Sequence, residues 1–282
     1  MMKRSEGEFK GLDRIELFYQ VWTFAQVRGV IVVTHGLGEH SESYTRLAEG
    51  LSKTDWELWA FDLRGHGKSD GKRGTVGKFS DYTADLHKFI QLVKEARPGV
   101  PVVLLGHSMG GLVTTNTIIE YPALEFTALV LSSPLFAVAV EVPKIKKLGA
   151  QFLNKYVPDL TLYNEIVYRQ LTSDKEVINE YYKDTLRHDR ISSGLYVQML
   201  GAMEKAMAHA AQITCPLLLQ QAGADTVVSC KASEKFFKNV GSEEKKLQIY
   251  EDLKHEIYNE VYRQQVFADL IDWLNPFLKV EQ

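Results

Sequence analysis

Only two cysteines, Cys215 and Cys230, occur in the 282 residues. Two isolated thiols cannot build a disulfide framework, and they lack the paired spacing of a zinc site. A basic excess is missing as well: 33 Lys and Arg stand against 36 Asp and Glu, for a net charge of −3. Proteins that depend on nucleic-acid phosphates carry a clear positive surplus, so no nucleic-acid partner is expected. Long apolar runs are also absent. The longest, residues 128–142, is broken by Ser132-Ser133-Pro134 and Glu141. It falls short of the ~20 apolar residues that span a bilayer. The first eight residues, Met1-Met2-Lys3-Arg4-Ser5-Glu6-Gly7-Glu8, turn acidic before any apolar core and do not read as a signal peptide. These absences set the expectation of a cytoplasmic protein with free thiols and no metal or cofactor. Its oligomeric state is left open.

What is present is ordinary globular chemistry: 45% hydrophobic, 24% charged and 11% aromatic residues, enough apolar mass for a sizeable core. Short apolar runs rich in β-branched residues alternate with helical patterns. Residues 15–22 read as a strand of an N-terminal antiparallel ribbon. Residues 30–34 are apolar on both faces, as a central strand covered on each side would be. Further strands are expected at 57–62, 102–105, 128–131, 216–220 and 247–250. Helical patterns cover 79–95, where Tyr82, Leu86, Ile90 and Val93 share a face, then 108–121 and 261–278. Such alternation predicts an α/β fold with a mostly parallel central sheet flanked by helices. Residues 135–214 interrupt it, because 80 residues are far more than one crossover requires. They are expected to form an inserted helical cap, or lid, on a core of residues 1–134 and 215–282. Within the cap, residues 142–157 place Ile145, Leu148, Phe152, Leu153 and Tyr156 at helical spacing among Lys144, Lys146, Lys147 and Lys155. That pattern suggests peripheral membrane contact. A second helical region is expected at 190–211.

The sharpest chemical signal is Gly106-His107-Ser108-Met109-Gly110-Gly111, placed between a buried strand and a helix. A serine there projects from a tight turn. The flanking glycines let strand and helix approach, and the Met109 N–H points toward developing negative charge. Serine needs a base, and the base an orienting acid. His188, His209 and His255 follow Ser108. The first two fall inside the insertion, whereas His255 lies in a polar loop just past the last strand. Asp225, after the strand at 216–220 and 30 residues before His255, is the better acid, with Asp252 its rival. His35-Gly36-Leu37-Gly38-Glu39-His40 follows the strand at 30–34, and its glycines free the Leu37 N–H to act as the second oxyanion donor. His35 and His40 also admit a metal reading, but structural hydrogen bonding is favoured. The glycine-rich run at 62–71 lacks a P-loop ending and reads as a rigid turn tied by Arg64 and His66.

In this order and spacing the residues resemble the α/β-hydrolase superfamily, and within it the monoacylglycerol lipase and lysophospholipase branch. The resemblance covers nearly the whole chain, with the cap its loosest part. It implies a serine carboxylic-ester hydrolase that cleaves a single-chain lipid ester, foremost monoacylglycerol to fatty acid and glycerol, under a mobile cap. It assigns Ser108 as nucleophile, Asp225 as acid, His255 as base, and Leu37 and Met109 as backbone oxyanion donors. It also implies that Glu39 meets the glycerol head. The arginine and histidine that assist in animal relatives are replaced here by Ser43 and Tyr258. Tyr182 is a further candidate substrate contact. Residues 38–44 hold two carboxylates and no Lys or Arg, so a phosphate head group is expected to be disfavoured against glycerol. Lysophospholipase and broad carboxylesterase activity are the alternatives, and a non-catalytic binding module on the same fold is a third.

Overall fold

Residues 2–139 and 153–278 are described by a computed structural model. Eight strands form one sheet in the order β1-β2-β4-β3-β5-β6-β9-β10. They are β1 (Lys3–Lys10), β2 (Glu16–Thr23), β3 (Gly29–Thr34), β4 (Trp56–Phe61), β5 (Val102–His107), β6 (Ala128–Ser132), β9 (Leu217–Ala222) and β10 (Lys245–Tyr250). The first two form an antiparallel ribbon that joins β4 antiparallel, and every later pairing is parallel.

The β-branched and leucine runs explain the layering. Side chains alternate across a strand, so a run that is apolar at every position feeds two cores at once. Val30, Val32, Leu104, Leu129 and Leu219 pack on one face, whereas Ile31, Val33, Leu105, Val130 and Leu218 pack on the other. The first face is covered by α2 (Phe79–Ala96), α3 (Met109–Glu120), α6 (Ser193–Ala208) and α7 (Cys230–Asn239). The second is covered by α1 (Thr45–Gly50) and α8 (Arg263–Leu274). Among the described residues no helix is long and apolar enough to cross a membrane.

One strand is not expected from the sequence, and two sequence expectations change. Strand β1 carries no apolar alternation because it is an exposed edge, held by hydrogen bonds to β2 rather than by burial. Residues 190–211 are not one helical region. Arg190–Ser192 forms β8, paired antiparallel with β7 (Thr161–Tyr163), and Ser192 then caps α6 through the Leu195 N–H. A three-residue strand stabilised by its partner leaves no periodic trace. The C-terminal helix also ends earlier, giving way to a 3-10 turn at Asn275–Leu278, where Pro276 removes a backbone donor. Besides this ribbon and α6, the described residues of the interval 135–214 hold α4 (Tyr168–Leu171) and α5 (Lys175–Lys183). Of the amphipathic segment 142–157, residues 142–152 lie outside the described residues, and 153–156 are helical.

Candidate active site

Parallel strands aim their carboxyl ends at one edge of the sheet, where loops from different strands converge. Here β3, β5, β9 and β10 deliver residues 35–40, Ser108, Asp225 and His255 to that edge. Ser108 is the residue between β5 and α3 and holds φ 55° and ψ −123°. This left-handed geometry strains a residue with a side chain, and neighbouring bonds fix it. The Ser108 N–H donates to Ser132 O at 3.0 Å, and its carbonyl accepts from the Gly111, Leu112 and Leu135 N–H groups. Close packing requires Gly110, since a Cβ there would lie 2.0 Å from Thr34 O and 2.4 Å from His35 O. The start of α3 is thereby set against the loop that follows β3.

The Ser108 Oγ lies 2.8 Å from His255 Nε2, and His255 Nδ1 lies 2.8 Å from Asp225 Oδ2. Asp225 Oδ1 accepts the Val227 and Val228 N–H groups at 2.8 and 2.9 Å. A carboxylate so held makes Nδ1 the protonated nitrogen of a neutral His255 and leaves Nε2 free to accept the serine proton. Burial alone would lower the His255 pKa. The facing Asp225 carboxylate, reinforced by Glu256 and Glu39, overrides it and raises the pKa above the ordinary 6.5. Burial pushes Asp225 upward, but the charge and hydrogen bond of His255 bring it below its ordinary value. His107 packs against His255 with ring centroids 4.8 Å apart. Burial, then the charge of His255, depresses its pKa to about 3, so it stays neutral beside the base.

Leu37 lines the cleft with Ser108 and His255, and Met109 directly follows Ser108 as the first residue of α3. Among the described residues neither backbone N–H has a protein acceptor. The serine, the base and the acid are thus brought together. Asp252, the rival acid, is exposed and does not contact His255. The metal reading of His35 gives way to hydrogen bonding: Nδ1 donates to Gly36 O at 2.8 Å and Nε2 accepts the Leu63 N–H at 2.9 Å. His40 pairs with Asp184 at 2.7 Å. No metal-binding group of His, Cys, Asp and Glu occurs among the described residues. Arg64 ties its turn to helix α2, through Asp85 at 2.6 Å and 2.8 Å, and His66 meets Arg64 O at 3.1 Å within the same turn.

The Glu39 carboxylate lines the cleft, accepting the Gly36 N–H and, at 3.1 Å, the Tyr44 hydroxyl. Burial first, then the nearby Glu256 charge, raises its pKa. Residues 38–44 carry no Lys or Arg of their own, but folding brings a cation to this loop from elsewhere in the chain. Arg187, distant in sequence, places Nη2 3.8 Å from Glu39 Oε2 and 2.7 Å from Glu256 Oε1. Sequence patterning missed Arg187 and Glu256. The one available signal was that Glu256 adjoins the base; Arg187 lies in a polar stretch with no periodicity. Tyr182 does not join the site: it is 68% exposed, packs its ring edge-on against Tyr168 and lies away from the cleft lining. Tyr258 is buried and donates its hydroxyl to Gln220 at 2.7 Å.

A family model described as serine aminopeptidase, S33, matches residues 25–262. The monoacylglycerol lipase of Mycolicibacterium smegmatis is 30% identical over 273 residues, 96% of this chain and 97% of that protein. The monoglyceride lipase of Homo sapiens is 33% identical over 267 residues, 92% of this chain and 86% of that one. The crystal structure of Paleococcus ferrophilus monoacylglycerol lipase matches with a TM-score of 0.82 at 28% identity, over 98% of this chain and 99% of the other. The chain belongs to this serine aminopeptidase S33 family, has the α/β-hydrolase fold, and is an ester hydrolase akin in sequence to the monoacylglycerol lipases.

Proposed function

We propose that the protein hydrolyses monoacylglycerol to fatty acid and glycerol through an acyl-enzyme on Ser108. The observation that carries this reading is the Ser108–His255–Asp225 relay, 2.8 Å at each step; the Leu37 and Met109 N–H groups, without protein acceptors, are proposed as its oxyanion donors. In the first half-reaction Ser108 Oγ attacks the ester carbonyl carbon as its proton passes to His255 Nε2. The carbonyl oxygen gains negative charge between the Leu37 and Met109 N–H groups, at the positive end of α3. His255 then returns the proton to the departing glycerol oxygen, leaving the acyl group on Ser108. Water repeats the cycle: His255 takes its proton, the hydroxide adds, and Ser108 leaves protonated with release of the fatty acid.

The glycerol preference draws on the site charges as well as on the relatives. A guanidinium reaches the head-group side, but it is committed to Glu256 and lies beside Glu39. A phosphate would have to compete with both carboxylates for it, whereas a glycerol hydroxyl can donate to Glu39. Of the expected cap at 135–214, residues 193–208 pack as α6 on the sheet face. Residues 135–192 are therefore proposed as the cap over this cleft, and its lysine-flanked segment as the contact with lipid surfaces. The test is a hydrolysis panel. Monoacylglycerol should be cleaved with a higher kcat/KM than chain-matched lysophosphatidylcholine, both below micellar concentration. A tenfold preference for the lysophospholipid overturns the head-group assignment. Failure of a fluorophosphonate to label Ser108, judged against Ser108→Ala, overturns the acyl-enzyme.

A further inference from the structure

We infer that Arg187 is a clamp across the top of the catalytic site, locking the loop that carries Leu37 to the loop that carries His255. It would thus be a positioning residue that the insertion supplies to the core. The inference rests on the Ser108 hydrolase reading and adds to it a requirement for a residue outside the relay.

Arg187 is buried, its side chain only 3% exposed, and its guanidinium lies between two carboxylates from different loops. Nη2 and Nη1 reach Glu256 Oε1 at 2.7 and 3.4 Å, and Nη2 also lies 3.8 Å from Glu39 Oε2. Glu256 directly follows His255, and Glu39 lies two residues beyond Leu37. A fork in this position therefore sets the distance between base and oxyanion donor. The fork itself is fixed. It sits 3.7 Å over the ring of Tyr181, whose hydroxyl donates to the other oxygen of Glu256. Asn259 Nδ2 donates to that same oxygen at 3.0 Å.

Backbone bonds repeat the connection on both sides. The His188 N–H donates to Gly38 O at 2.9 Å, and the Glu256 N–H donates to Leu171 O at 2.8 Å. A Cβ on Gly38, which has φ +77°, would lie 2.2 Å from His188 O, so this approach also demands glycine. Burying an arginine among carboxylates is a poor route to stability alone, since apolar residues of similar volume often do as well. Its geometry is the benefit: both Nη atoms engage Glu256 Oε1 while Nη2 faces Glu39 Oε2 as an ion pair, where a lysine ammonium presents one point charge. Displacing a catalytic group by about 1 Å can cost roughly 10²-fold in rate.

The test compares Arg187→Ala and Arg187→Lys with the wild-type enzyme on p-nitrophenyl butyrate, a soluble ester, with folding checked by circular dichroism and Tm. Arg187→Ala should lose roughly 10²-fold in kcat with KM changed less than about threefold, because the reacting geometry rather than binding is impaired. Millimolar guanidinium, below denaturing concentration, should restore part of that kcat by entering the vacated fork site. Arg187→Lys should remain folded yet stay about tenfold or more below wild type. A folded Arg187→Ala with wild-type kcat, a loss confined to KM, or no guanidinium response overturns the clamp. If Arg187→Ala does not fold, wild-type kcat in Arg187→Lys overturns it alone. Wild-type enzyme that resists fluorophosphonate would instead refute the Ser108 reading, which keeps the two failures apart.

Discussion

Ser108 occupies a backbone geometry that side-chain residues avoid, and His255 holds a proton more tightly than a free imidazole. Both features bear on rate. Ser108→Ala and His255→Ala are each expected to remove about 10⁴-fold or more of kcat, and the double variant little further. Once the nucleophile is gone, its base has nothing to activate; additive losses would contradict a shared relay. Asp225→Asn should cost about 10⁴-fold by favouring the wrong imidazole tautomer, while leaving the fold intact. Only neutral His255 accepts the serine proton. With its pKa raised, kcat/KM should decline as pH falls through a value above 6.5, and a profile flat from pH 5 to 8 would refute the assignment.

Between elements, the α3 start and the turn before α2 carry the tightest constraints. Gly110→Ala would drive a methyl group into Thr34 O, so α3 must shift away from β3. We expect a loss of about 1–3 kcal/mol of stability, read by urea unfolding, together with lost activity. Arg64 holds the fully buried Asp85 side chain of α2, which also accepts the Leu12 N–H at 2.7 Å. Arg64→Met strands that carboxylate without its cation and should cost about 3–5 kcal/mol at neutral pH. Burial already raises the Asp85 pKa, and losing Arg64 raises it further. The folded variant then binds a proton more tightly than its unfolded chain does. Its deficit relative to wild type should therefore shrink as pH falls, and a deficit independent of pH would refute the stranded charge.

At the scale of the whole molecule, Asn164, Ile166, Tyr168, Leu171 and Arg187 line the cleft together with the loops at the sheet edge. Lys144, Lys146 and Lys147 belong to the segment outside the described residues, and their proposed role is contact with lipid surfaces. Replacing all three with Gln should weaken sedimentation with anionic liposomes while leaving p-nitrophenyl butyrate hydrolysis unchanged. Equal binding by both proteins would remove the membrane proposal and leave the ester chemistry standing.

The central strands, α2, α3 and the carriers of Ser108, Asp225 and His255 were legible in the sequence because local rules govern them. An unbroken apolar run marks a strand covered on both faces, period 3.6 marks α2, and a glycine-flanked serine between strand and helix has few other uses. Strand β1 and the β7–β8 ribbon were not legible, since their stability resides in partners far along the chain. Arg187 was invisible for the same reason. Nothing near residue 187 announces its place between Glu39 and Glu256, 148 and 69 residues away. Sequence specified the chemistry of the loops at the sheet edge; folding decided which charges meet there, because charge pairing depends on distances in space that only the packed chain defines.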